Sequence, residues 1–465
     1  MIIENIVRTR STNYKILPPL LLCAIAIVLS FFAVFNTNIA IIFVWLCLWI
    51  LILTIFLNKF LISKDIKLLL PFIVIGLSIR LIMAFLFRIK SASTGGLITP
   101  DEFYYFDYAK DIAEAWKSGT FMGLLDINHY VGTRNFGYHV WSALHFLILP
   151  EKLLPVISNI FLDIIAGIII FRLLKDETNL KIGKIGFIFW SINPIPIFWA
   201  VFNLKDTLLT TIIVSMVFCF YQIIKQPRKL MYIFMWVFLS IFLMTLRFYI
   251  SFLLVLLFPF LFIFSSRIKI INRIFIVTFI LLLTTFFWYK FPLSNKTTSW
   301  ILSEGVHNII MEQYNKSVTK SLHSSYSFNV SNIGTKSFLS TSIGFLLYPS
   351  PLNLKYIFGF TGRLSGIFFL IGTFLWYILL GYSFIGVVYV VKNQQKIYYF
   401  SILFPLATII IYGFLPTEVE PRHRLMIMPF IIILAVIGFF KKVPHKKLLV
   451  MLSFVLITLM GILIE

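Results

Sequence analysis

The sequence predicts an all-α polytopic membrane protein with about 13 transmembrane helices and two long extracytoplasmic loops. Three observations carry that prediction. Of 465 residues, 60% are apolar and only 12% charged, more apolar surface than one soluble core could hide behind a polar exterior. The apolar residues arrive in blocks of roughly 17 to 25, the length of helix that crosses about 30 Å of hydrocarbon. The basic residues fall in short gaps between alternate blocks, as cytoplasmic loops do. Lipid offers no hydrogen-bond partners, so each block must close its backbone bonds as a helix. The short alternating segments of a membrane barrel are not seen in the sequence.

Taken in order, spans are expected at about 16–34, 39–57, 68–87, 153–171, 185–203, 207–224, 230–246, 249–265, 274–289, 366–390, 398–415, 425–440 and 448–464. The first is read as a membrane helix and not a cleaved signal, because small cleavage-site residues are missing and many spans follow. With the N-terminus cytoplasmic, the inner loops carry groups such as Lys59, Lys64 and Lys67, or Arg172, Lys175, Lys181 and Lys184. Together these loops hold more than half of the 40 basic residues, an asymmetry that fixes the orientation. The net charge of +22 is thereby accounted for by anionic lipid headgroups, and nucleic acid is not an expected partner. Cys23, Cys47 and Cys219 all lie inside apolar blocks, so no disulfide framework or metal-type cysteine spacing is available.

Four regions follow. Residues 1–67 form an N-terminal transmembrane hairpin with basic cytoplasmic ends, and 68–289 a transmembrane core holding the first extracytoplasmic loop, 88–152. Residues 290–355 form the second loop, and 356–465 the C-terminal helices. In the first loop, Phe136 to Leu149 is apolar but short. A crossing there would turn every later basic cluster outward, so the segment is read as an interfacial helix with Tyr138 and Trp141 at headgroup level. The second loop is rich in Ser, Asn and Thr, then turns apolar at Ile343 to Tyr348. Such an ending fits a segment returning to the membrane surface as a lid.

Chemistry is sought where polar residues crowd the outer side. Asp101 and Glu102 follow Pro100 at a helix start and diverge by about 100°. One can face a cavity as a general base on a hydroxyl while the other complements the helix dipole. The alternative is a plain acidic first turn of an amphipathic interfacial helix. Lys205 and Asp206 interrupt an apolar stretch, Arg247 ends a span, and Glu418, Glu420, Arg422, His423 and Arg424 crowd one short turn. Singly these are ordinary solvated turns. Jointly they offer forks and charges for a phosphate beside apolar walls. Arg80 lies deep in the third span, where an ionisable group needs a partner; Asp163 is the expected one, in a structural ion pair. The seven histidines show no ligand-like helical spacing, so no metal is assigned and the cofactor is unknown, a divalent metal being unsupported. The sequons at Asn295, Asn315 and Asn329 are short enough to arise by chance.

Several of these residues resemble the GT-C superfamily of polytopic glycosyltransferases, particularly bacterial relatives of protein mannosyltransferases and aminoarabinose transferases. The resemblance rests on Asp101-Glu102 followed by Tyr105 and Ala109, and on Gly137-Tyr138-His139. It continues through Asn193-Pro194, Lys205-Asp206, and Arg422-His423-Arg424 before Pro429-Phe430. It implies a GT-C-like fold in a bacterial inner membrane, with inverting transfer of a sugar from a polyprenyl-phosphate donor to a hydroxyl on a glycan, lipid or protein acceptor. It implies Asp101 as base with Glu102 as neighbour or substitute, and Lys205, Arg422, Arg424 and Arg247 on the donor phosphate. Asp206, Tyr105 and His423 would support them, Asp206 by orienting Lys205 or contacting the acceptor. Two spans precede the helix leading into the acidic loop where many relatives have one, and a large soluble C-terminal domain is missing. A capsule-type or O-antigen polymerase and a non-enzymatic flippase of lipid-linked sugars are the rival readings; the flippase would line a midplane path with charge.

Overall fold

A computed structural model describes residues 37–90, 99–120, 122–131, 136–226, 229–263, 342–347, 363–395, 398–413 and 421–441, with isolated positions between 271 and 282 and between 447 and 455. Every regular element among the described residues is helical. They are α1 (Thr37–Phe60), α2 (Ser63–Lys90), α3 (Pro100–Lys117), α4 (Leu124–Val131), α5 (Gly137–Phe146), α6 (Leu153–Glu177), α7 (Leu180–Ser191) and α8 (Pro194–Ala200). After them come α9 (Lys205–Lys225), α10 (Leu230–Leu246), α11 (Phe248–Ile263), α12 (Arg363–Lys392), α13 (Tyr399–Gly413), a 3-10 turn (Pro421–Met426) and α14 (Met428–Phe440).

Five of these helices, α1, α2, α6, α9 and most of α12, are long and apolar enough to cross a membrane, giving the chain the character of a membrane protein. Only 22% and 28% of the most apolar windows of α1 and α2 are buried within the protein, against 89% for α6 and α9. The first two therefore leave their apolar faces for lipid, while the others build the core. Shorter apolar helices form within the blocks 230–246, 249–265, 398–415 and 425–440. The expected spans 16–34, 274–289 and 448–464 lie outside the described residues, apart from isolated positions.

The expected span 185–203 departs from prediction. It is broken into α7 and α8 at Asn193-Pro194, because the Pro194 ring lacks an N–H and would clash with the carbonyl one turn back. Asn193 restarts the chain, its side-chain oxygen accepting from the Ile195 N–H at 3.0 Å. The expected helix in Phe136 to Leu149 forms as α5, with Tyr138 wholly buried in the protein.

The chain divides into two compact units. The first comprises Met1–Met122, His139–Ile165 and Ala200–Leu204. Its interior is unusually polar for a bundle of apolar helices. Arg80 on α2 and Asp163 on α6 are both buried, and the Arg80 Nε donates to Asp163 Oδ2 at 2.9 Å with Nη2 on the same oxygen. Arg80 Nη1 also donates to the Gly76 carbonyl at 3.0 Å. The expected ion pair therefore forms. Trp45 on α1 donates to Ser158 Oγ at 3.0 Å, and the same hydroxyl meets His145 Nε2 at 2.7 Å. Burial pushes the His145 imidazole down to about 4, against a weaker opposing pull from the Trp141 carbonyl. His145 is thus a neutral packing residue near pH 7.

The second unit comprises Gly123–Tyr138, Ala166–Trp199 and Lys205–Glu465. Its helices approach closely at two glycines. A Cβ on Gly386 of α12 would sit 2.0 Å from the Leu434 carbonyl of α14, and one on Gly438 would sit 2.2 Å from the Tyr382 carbonyl. Only glycine permits that backbone-to-backbone crossing. Helices α9 and α10 form an antiparallel hairpin. At 1.5 Å per residue, 21 residues out and 17 back bring Leu246 level with the first turns of α9. Arg247, which follows, therefore shares an end of the unit with Lys205.

Candidate functional site

The acidic dipeptide lies in the first unit, at the start of α3. Thr99 is the N-cap: its side chain accepts from the Glu102 N–H while Glu102 Oε2 accepts from the Thr99 N–H at 3.2 Å. Pro100 occupies the first turn, where its missing N–H costs nothing. The other oxygen of Glu102, Oε1, accepts from Lys152 Nζ and from the Asn203 backbone N–H, both at 2.8 Å. Glu102 and Lys152 are 0% and 1% exposed. Every Glu102 oxygen is thus engaged in holding the cap and the segment 200–204. Asn159 clasps the same segment, donating to the Leu204 carbonyl at 3.1 Å.

Asp101, one residue earlier, is partly exposed. The two carboxylates diverge as adjacent helical positions must. Tyr105 is buried, its ring 5.0 Å from that of His139.

The cations are found in the second unit. Arg247 and His423 are both buried, and Arg247 Nη2 lies 2.8 Å from His423 Nε2. A guanidinium has no acceptor, so Nε2 must accept; the ring is neutral with its proton on Nδ1. Aromatic rings enclose the pair. The Arg247 guanidinium lies 5.6 Å from the Tyr249 ring and 5.8 Å from the Tyr412 ring, whose hydroxyls meet at 3.0 Å. Arg424, also buried, lies 6.0 Å from the Trp376 ring. Electron-rich ring faces stabilise buried cations.

The apolar end of the second long loop closes this wall. Residues 342–347 are helical; Phe345 stacks on Tyr412 at 4.5 Å, and Trp376 Nε1 donates to the Leu346 carbonyl at 2.7 Å. The expected lid segment thus has an anchored end. The rest of that loop, 290–341, lies outside the described residues, as do Glu418 and Glu420.

Lys205, partly exposed, opens α9 at the same end of the unit. Asp206 and Thr207 follow, 3% and 1% exposed. Asp206 Oδ1 and Thr207 Oγ1 are buried with no hydrogen-bond partner among the described residues. Such atoms cost about 1–3 kcal/mol each when left unsatisfied, so this end of α9 can take up a polar group or an ordered water. Lys205 and Asp206 are neighbours in the first turn of α9. Both side chains leave the helix about 100° apart.

Of the residues expected in the site, the structure gathers Arg247, His423 and Arg424 into one cluster, with Lys205 and Asp206 at the same end of the second unit and Arg422 as the more exposed neighbour. Asp101, Glu102 and Tyr105 belong to the first unit. Sequence reasoning missed Lys152 as the partner of Glu102, Thr207, and the wall of Phe345, Trp376 and Tyr412. Thr99 alone was signalled locally, by Thr-x-x-Glu before an apolar stretch. Among the described residues, no group of three His, Cys, Asp or Glu is placed to hold a metal ion. No family model and no curated protein matches the chain.

Proposed function

We propose that the protein is a multi-pass membrane glycosyltransferase that moves a sugar from a polyprenyl phosphate to a hydroxyl acceptor on the extracytoplasmic face, in a chain of about 13 spans with a cytoplasmic N-terminus. One observation carries the reading: two buried guanidinium groups, Arg247 and Arg424, stand in an aromatic wall at the end of the unit where α9 begins. A lipid phosphate suits that environment. Guanidinium forks match its oxygens, and the positive end of the α9 dipole adds to them. The aromatic rings accept the first isoprene units and exclude the water that would screen the charges.

Lys205 and Arg422, at more exposed positions, neutralise the outer phosphate oxygens. Thr207 Oγ donates to the donor, and Asp206 Oδ1 accepts from a donor hydroxyl. Asp101 is the base, and Glu102 is the clamp that sets the first turn of α3. In the reaction the acceptor oxygen bonds to the anomeric carbon as the carbon–phosphate oxygen bond breaks. The hydroxyl proton passes to Asp101, and the electron pair leaves on the phosphate, with inversion. Binding of the developing phosphate charge by preorganised cations lowers the barrier.

Asp101→Asn is expected to lower kcat by roughly 10²–10⁴-fold while leaving membrane insertion and prenyl phosphate affinity intact. Radiolabelled polyprenyl-phosphate sugar supplied to membranes measures it. Product formation at the wild-type rate would remove Asp101 from the base role.

A further inference from the structure

The outer face of α3 carries a feature that the phosphate chemistry does not use. Asp101, Tyr104 and Tyr108 are spaced three and four residues apart, so they share one stripe of the helix. All three are partly exposed, beside the buried stripe of Tyr105, Ala109 and Ile112. The Tyr104 and Tyr108 rings lie 4.8 Å apart, tilted by 59°. Behind them the buried His139 ring meets each nearly edge-on, at 5.0 Å and 82° for Tyr104 and at 5.8 Å and 80° for Tyr108. His139 thereby restricts both rings and leaves a firm two-ring ledge with a carboxylate one turn away.

We infer that this ledge binds an uncharged, hydroxyl-rich saccharide, which on the transferase reading is the acceptor. Sugar C–H faces are electropositive and stack on the electron-rich faces of tyrosines. Carboxylate oxygens accept from sugar hydroxyls. The charge around the ledge selects against anions: with Glu102 paired to Lys152 and Glu114 to Lys110, α3 still carries Asp101, Asp107 and Asp111 against Lys117. A phosphate or sulfated glycan is repelled from it. Donor and acceptor are thus recognised by opposite means, the donor by cations and the acceptor by rings and a carboxylate.

The test uses the full chain in nanodiscs of uncharged lipid, probed with neutral gluco-, manno- and galacto-oligosaccharides, their sulfated counterparts, and a short-chain prenyl phosphate. Wild type is expected to bind at least one neutral probe and none of the sulfated ones more tightly. Tyr104→Ala and Tyr108→Ala each weaken that binding by about tenfold, and Tyr108→Phe by less than about threefold, because stacking survives loss of the hydroxyl. Prenyl phosphate affinity is unchanged in all three. Saturating the aromatic protons of wild type transfers magnetisation to the saccharide C–H protons, which keeps the test open should a variant fail to fold. No neutral probe bound, a preference for sulfated probes, or alanine variants that bind like wild type would overturn the ledge. Saccharide binding without prenyl phosphate binding would leave the ledge standing and end the transferase reading.

Discussion

Asp163→Ala is expected to destabilise the protein by about 3–5 kcal/mol, because it strands the Arg80 guanidinium inside the bundle. Neither side chain is more than 1% exposed, so water cannot replace the lost carboxylate. The effect reads out as a lowered midpoint in thermal or denaturant unfolding of the detergent-solubilised chain. Asp163→Asn, which keeps an acceptor, is milder. The double replacement Arg80→Met with Asp163→Leu recovers most of the loss, since removing both charges removes the desolvation cost as well. A single alanine variant as stable as wild type would show that the pair does not hold α2 to α6.

The second large effect falls on the donor. Arg247→Lys keeps a positive charge but loses the fork and the bond to His423 Nε2. Lysine is a point charge on a flexible stem and cannot offer two parallel bonds to one phosphate. Loss of a charge-assisted bond is worth about 1.5–3 kcal/mol, or roughly a 10- to 100-fold rise in the Kd for a short-chain prenyl phosphate. Arg424→Lys is expected to act in the same direction. Unfolding midpoints separate this effect from misfolding. Affinities that stay at wild type in both variants would remove the forks from phosphate recognition.

Much of this architecture is legible locally, and the exceptions have physical causes. Blocks such as 39–57 and 153–171 announce helices by length and apolarity alone, and α1 and α6 form there. The Arg80–Asp163 pair is legible for a related reason: a charge deep in an apolar block must find another. The break at Asn193-Pro194 is also locally signalled, since a proline interrupts a helix even inside a long apolar run. Asp101 and Glu102 diverge as adjacent helical positions must, one partly exposed and the other buried. The capping-box spacing from Thr99 to Glu102 marks Glu102 as the structural member. No local signal marks Lys152, 50 positions later, as its partner. The wall around Arg247 and Arg424 is of the same kind. Phe345, Trp376 and Tyr412 come from three separate segments, and in an apolar chain rich in aromatics nothing distinguishes those rings from lipid-facing ones.

On the proposed function, a lipid phosphate sits among Arg247, His423 and Arg424 at the α9 end of the second unit. A prenyl phosphate carrying a photoreactive group beside the phosphate tests it in native membranes, with the labelled peptides identified by mass spectrometry. Labelling is predicted on the first turn of α9, on the α10–α11 junction around Arg247 and on the 3-10 turn Pro421–Met426, and to fall away when unlabelled prenyl phosphate is added. Labels confined to the lipid-facing surfaces of α1 and α2, and unmoved by that competitor, would contradict it.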